Sequence, residues 1–173
     1  MRQLALSYRK GADERTKFAT DAQRDAALNT LEDEIKSEKI QDFIKTYEIP
    51  SESLVKKLNE TLKNAVVSKF EPSLKTKINR TVVSVYLVKE MSPNDPYVII
   101  ESTKSETSVI VIVNLAHPHW NQLTNSESIL NFIRHCTYDG VAESKAYFTT
   151  HKIEPDTVKL IKDNLLRIPM TLH

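Results

Sequence analysis

Apolar positions in the first third of the chain recur at spacings of three and four. Between Asp21 and Lys36, DAQRDAALNTLEDEIK puts Leu28, Leu31 and Ile35 on one line with charge on the other faces, which predicts an amphipathic helix. Ser37 to Tyr47 carries Ile40, Phe43, Ile44 and Tyr47, but the step from Ile35 to Ile40 falls out of phase, so a break is expected near Ser37. Ile49-Pro50 ends this segment, because the residue before a proline is pushed out of the helical region. Ser51 opens SESLVKKLNETLKNAVVSKF, with Leu54, Val55, Leu58, Leu62, Ala65 and Val66 on one face and Ser51 placed to cap the first turn. Pro72 lies beyond its end, and Ser73 to Asn79 reads as a polar connection.

From Thr81 the period changes to two or to none. TVVSVYLVKE (81–90), DPYVIIES (95–102) and SVIVIVN (108–114) are strand-like, joined by MSPN and TKSET. Short links between successive strands predict an antiparallel meander. Val109 to Val113 is apolar on both faces, so that strand should be covered on both sides, most simply by the flanking helices. Asn125 or Ser126 can cap a following helix in which Ile129, Ile133, Cys136 and Gly140 lie near one line, with Leu130, Val141, Tyr147 and Phe148 close by and a kink allowed at Gly140. A last helix starts at Pro155 and carries Val158, Ile161, Leu165 and Ile168 up to Pro169. The expected class is α+β: a small antiparallel three-stranded sheet, about 81–114, flanked by N-terminal and C-terminal helices. Residues 1–50 form a charged helical segment, and 51–173 an α+β domain with one continuous core.

Composition narrows the function. The 173 residues include 24 basic and 23 acidic side chains, so no net field concentrates nucleic acid or an acidic membrane surface, and any such binding needs a local patch. KFEPSLKTKINR is the most positive stretch; Lys69, Lys75, Lys77 and Arg80 can contact phosphates there, or simply be solvated. There are two glycines, Gly11 and Gly140, too few to assemble a phosphate-cradling loop or a dinucleotide fingerprint. Cys136 is the sole cysteine and falls in an apolar helical pattern, which fits a buried thiol and a reducing, cytoplasmic setting. No apolar run approaches the roughly 20 residues that span a bilayer, and the N-terminus lacks the apolar stretch of a secretory signal, so no membrane association is expected.

The most conspicuous candidate site follows the third strand, where SVIVIVN runs into LAHPHWNQL. His117 and His119 stand two apart, and in an extended segment both point to one side, as a pair of metal ligands would. Third ligands from His135, Asp139, Glu143 or His151 would have to arrive through the fold. The competing assignment is a structural corner, in which Asn114 bonds to the backbone that follows, Pro118 stiffens the turn and Trp120 buries its ring under the sheet. Glu101 and Lys104, with Asp95, faintly suggest a metal-dependent nuclease, but a separation of three puts Glu101 and Lys104 on opposite faces of a strand. Cys136 with His135 fails as a nucleophile pair, because adjacent helical residues face about 100° apart.

The block SPNDPYVIIESTKSETSVIVIVNLAHPHWNQL, followed by a helix ending in GVAESKA, resembles the C-terminal region of certain bacterial proteins whose N-terminal part is an ATPase of the gyrase, heat-shock chaperone and histidine kinase (GHKL) superfamily. The match spans Ser92 to Ala146, with Asn114, His117, Pro118, Trp120 and Glu143 at the similar positions and His119 inserted before the ring. The superfamily's pocket needs an Asp-x-Gly-x-Gly segment, which a chain with two isolated glycines does not contain, so the resemblance implies the piece beyond the ATPase and no nucleotide cofactor. It implies dimer contact, partner docking, or passing the ATPase's state to a client that could include DNA. Two functions follow: a non-catalytic interaction, dimerisation or transducer domain, partnered with itself or with an ATPase domain, and, as the alternative, a metal-dependent hydrolase or nuclease using His117 and His119.

Overall fold

The computed structural model describes residues 20–103 and 107–147. The expected helix from Pro155 lies outside them, as do Lys104, Phe148 and His151. The chain divides into two compact units, Met1–Pro50 and Ser51–His173.

In the first unit a helix runs through 20–36 (α1) and stops at Ser37, where the apolar register slips. Ser37 is the N-cap of α2 (Glu38–Thr46), its hydroxyl accepting from the Ile40 amide at 3.5 Å. The Gln41 side-chain amide donates to the Ile35 carbonyl at 2.7 Å, so a side chain from the first turn of α2 satisfies one of the carbonyls left free at the end of α1. Phe43 and Tyr47 stack on one face with ring centroids 4.7 Å apart. No residue in 20–50 is buried.

The second unit begins with α3 (Glu52–Lys69), capped by Ser51 at 3.3 Å from the Leu54 amide. Four strands follow: β1 (Leu74–Ile78), β2 (Thr81–Val88), β3 (Val98–Thr103) and β4 (Ser108–Asn114). The sheet order is β1-β2-β4-β3, with β1 antiparallel to β2, β2 parallel to β4, and β3 antiparallel to β4. This corrects the three-stranded antiparallel meander in two ways. The stretch assigned to a polar connection is itself a strand: LKTKI pairs with β2 through a two-residue loop in which Asn79 takes φ +55°, a conformation asparagine tolerates. And β3 does not lie beside β2, because β4 sits between them. The strand apolar on both faces takes the central seat, whereas β3, with Glu101 and Ser102 at its end, is an edge.

Alternation then sorts the side chains. Val83, Val85, Val109, Val111 and Val113 form one face, covered by Phe132, Ile133, Cys136 and Val141 of α4 (Ser126–Tyr147). Tyr86, Val88, Ile99 and Ile112 form the other, covered by Leu62 and Val66 of α3 and by Phe70. Helices therefore layer both faces of the sheet. Asn125 caps α4 reciprocally: its side-chain oxygen accepts from the Ser128 amide at 2.8 Å, and the Asn125 amide donates to the Ser128 hydroxyl at 3.3 Å.

α4 continues unbroken through Gly140, which marks no kink but a close approach. A Cβ built there would stand 2.8 Å from Val111 Cγ2 and 3.3 Å from Val109 Cγ1, so α4 rests on the two central valines with no room for a methyl group. Gly140→Ala is expected to destabilise the fold by about 1 kcal/mol in urea titration, overpacking outweighing the better helix propensity of alanine. With Val111→Ala added, the combined loss should fall short of the sum of the two single losses, since the smaller neighbour makes the space the new methyl needs.

Candidate functional site

The corner after β4 is built around Asn114, 1% exposed at the end of a strand whose other apolar residues seal the core. Its backbone amide donates to the Tyr97 carbonyl at 3.0 Å. Its side-chain nitrogen donates to the carbonyls of Ser92 at 2.9 Å and Asp95 at 3.3 Å, and its side-chain oxygen accepts from the Ala116 amide at 2.9 Å. Only a carboxamide offers two donors and an acceptor from one planar group, so the residue type is set by what surrounds it.

The loop it holds is closed on itself. The Asp95 amide donates to the Ser92 carbonyl at 3.0 Å, the Ser92 amide to the Asp95 carboxylate at 3.0 Å, and the Asn94 amide to the Ser92 hydroxyl at 3.2 Å. Asn114 thus ties the β2–β3 connection to the exit of β4.

Beyond Asn114 the chain turns into a 3-10 helix, Pro118–Gln122. His117 is its N-cap, and its Nδ1 accepts from the His119 amide at 3.1 Å, while Pro118 occupies the first position, where no amide is needed. The chain is extended at His117 but coils into the 3-10 helix at Pro118 and His119, so the alternation that would put both rings on one side does not hold. His117 lies edge-on to Tyr97, centroids 6.2 Å apart, whereas His119 lies 5.5 Å from Phe132. Among the described residues no group of three or more His, Cys, Asp or Glu is arranged to hold a metal ion.

The Trp120 ring packs on α4. Half-buried, it meets Phe132 edge-on at 6.0 Å, and Tyr97 joins the same ring at 6.3 Å. Phe132, unremarked in the sequence, is thus the hub that fixes the corner to α4, each such ring pair adding about 0.5–1.5 kcal/mol beyond its burial. Its only sequence signal is its place in the first turns of α4, where a ring can reach back to a preceding aromatic turn.

The remaining candidates fall elsewhere. Glu101 pairs with Lys63 of α3 at 2.6 Å, the two side chains 30% and 15% exposed, a bond between layers that the pattern Glu101–Lys104 could not disclose. The Asp95 carboxylate is taken up by the Ser92 amide. Cys136 is buried and His135 exposed, on diverging sides of α4. Lys69, Lys75, Lys77 and Arg80 are all exposed around β1, with Lys75 and Lys77 on the same side of the strand opposite Ser84 and Val82. Glu143 is not part of the corner: it stands eleven residues beyond Phe132, about 16 Å further along α4. Partial burial of its carboxyl, then the charge of Asp139 one turn earlier, push its pKa above the ordinary carboxylate value.

Two outcomes check these assignments. Asn114→Asp puts a carboxylate oxygen against the Ser92 and Asp95 carbonyls; a loss of about 2–4 kcal/mol at pH 7 is expected in denaturant titration. The same repulsion raises the folded-state pKa of that aspartate, so the loss should shrink as the pH is lowered and the group gains a donating proton. Glu143 has the same sign natively. Its raised folded pKa favours the protonated fold, so stability is fullest below the unfolded value and declines as pH rises through the folded one. Glu143→Gln should raise the melting temperature at pH 7 by roughly 1–2 °C, small because the carboxyl is only partly buried and much of the side chain stays in water, and the gain should vanish in acid.

No protein-family model, curated protein or solved structure matches this chain.

Proposed function

We propose that this chain is a non-catalytic interaction domain, acting by self-association and as a docking or transducing element for an ATPase of the gyrase, heat-shock chaperone and histidine kinase superfamily. The observation that carries the first part is the apolar surface left in water on the helices that precede the sheet. In α1 and α2, Leu28, Leu31, Ile35, Ile40, Phe43 and Ile44 are each between 45% and 74% exposed. In the second unit the first turns of α3 expose Leu54, Val55 and Leu58. Single exposed apolar residues are ordinary, but apolar residues repeated at helical spacing along an exposed face are the pattern of a contact surface.

The polar groups of the corner support the same reading. Asn114, Asp95 and Nδ1 of His117 are each engaged in holding backbone, which is the work of a structural turn. The link to the ATPase superfamily rests on the resemblance of Ser92 to Ala146 alone. No helix among the described residues is long and apolar enough to cross a membrane.

Light scattering of the purified chain across a concentration series tests the proposal, with divalent metal content measured on the same sample. A metal-free species of twice the chain mass, dissociating on dilution, is the expected result. A monomer at every concentration carrying one equivalent of zinc or manganese would overturn it in favour of a metal-dependent hydrolase centred on His117 and His119.

A further inference from the structure

α3 carries two apolar lines. One, through Leu62 and Val66, packs on the sheet, with the Lys63–Glu101 ion pair beside it. The other runs along the flank: Leu54, Leu58, Thr61 and Ala65, spaced four, three and four apart, the alternation by which helices pair. All four are exposed, Leu54 at 61% and Leu58 at 52%. The Thr61 hydroxyl donates back to the Lys57 carbonyl at 2.9 Å, and the Ser68 hydroxyl to the Ala65 carbonyl at 3.1 Å. With these hydroxyls turned into the helix, the line offers carbon to its surroundings along nearly its whole length.

We propose that this seam is the contact between two copies of the chain, α3 lying antiparallel against α3 of a second copy about a two-fold axis between Asn59 and Glu60. This rests on the self-association proposed above and names its surface. The occupant follows from how the line complements itself. An axis at that point sets Leu54 opposite Ala65 of the second copy and Leu58 opposite Thr61, large against small at every level. On one flank Val55, 40% exposed, meets Leu62 of the second copy, so the contact continues the stripe that already packs on the sheet.

Charge agrees with the same arrangement. Lys57, on the other flank, meets Asn64 and no like charge, and Glu52 in the acidic first turn comes beside Lys69 in the basic last turn of the second copy. The helix dipoles oppose, which is the favourable sense. A parallel pair does worse on each count: it sets Leu54 on Leu54, presses Lys57 toward the apolar Leu62, and brings like ends together. The 18 residues of α3 make a helix about 27 Å long. One such pair buries less than about 1,200 Å2 in total, the small class of interface, so the dimer dissociates reversibly with a constant on the order of micromolar.

The register is tested on the full chain by mixing two single variants, Leu54→Cys and Ala65→Cys, under mild oxidation. The expected result is a covalent dimer from the mixture and none from either variant alone, nor from the wild type, whose Cys136 is buried. In parallel, Leu58→Glu should weaken dimerisation by more than about tenfold in light scattering with an unchanged far-ultraviolet spectrum, since Leu58 is half exposed in the chain. Cross-linking of Leu54→Cys with itself would overturn the antiparallel register. A dimer that neither cross-links in the mixture nor responds to Leu58→Glu would overturn the seam and leave self-association standing on the other apolar stripes. A monomer at every concentration would overturn both, giving the seam to a different protein or to another segment of the same chain.

Discussion

The second unit depends on one strand that is covered on both sides. Val109, Val111, Ile112 and Val113 of β4 are fully buried, and a strand of that kind has a single stable place, the middle of a sheet with a layer on each face. Its position explains why β2 and β3 are separated, why the sheet is mixed, and why α3 and α4 lie on opposite faces. It also explains Gly140. To cover the central valines closely, α4 must come nearer than a methyl group permits, and the residue without a Cβ stands at that point.

The same strand sets the corner. Because β4 must end where its sheet partners end, the chain has to leave a buried position with its polar backbone satisfied, and Asn114 does this with one side chain serving two connections. The histidines, the proline and the tryptophan then form a short capped turn held to α4 by Phe132. The contacts these residues make are backbone support and ring packing.

Much of this was legible in the chain. The caps at Ser51 and Asn125, the break near Ser37, the covered strand 108–114 and the turn role of Asn114 each rest on local chemistry: a hydroxyl or amide beside a free backbone group, a slip in apolar register, or an apolar run of strand length. What was not legible depended on partners far along the chain. LKTKI has its strand character from β2, since all five of its side chains are exposed and its own pattern is as polar as a loop. The strand order was misjudged because short links favour neighbours, and only the competition for the buried central seat moves β3 to the edge. Phe132 and the Lys63–Glu101 pair are likewise products of the packed layers, with no mark in spacing. Glu143 shares a helix with the corner but not a neighbourhood.

β1 leaves one more consequence. It is an edge strand, and an edge offers a row of backbone donors and acceptors to any extended chain that approaches. Lys75 and Lys77 stand on alternate residues along it, so a second strand laid against it would have to bring its own side chains up to two ammonium groups. The pair works as a guard against fibrous stacking: neutralising both, as acetylation would, leaves Leu74, Thr76 and Ile78 on an uncharged rim that is open to strand addition.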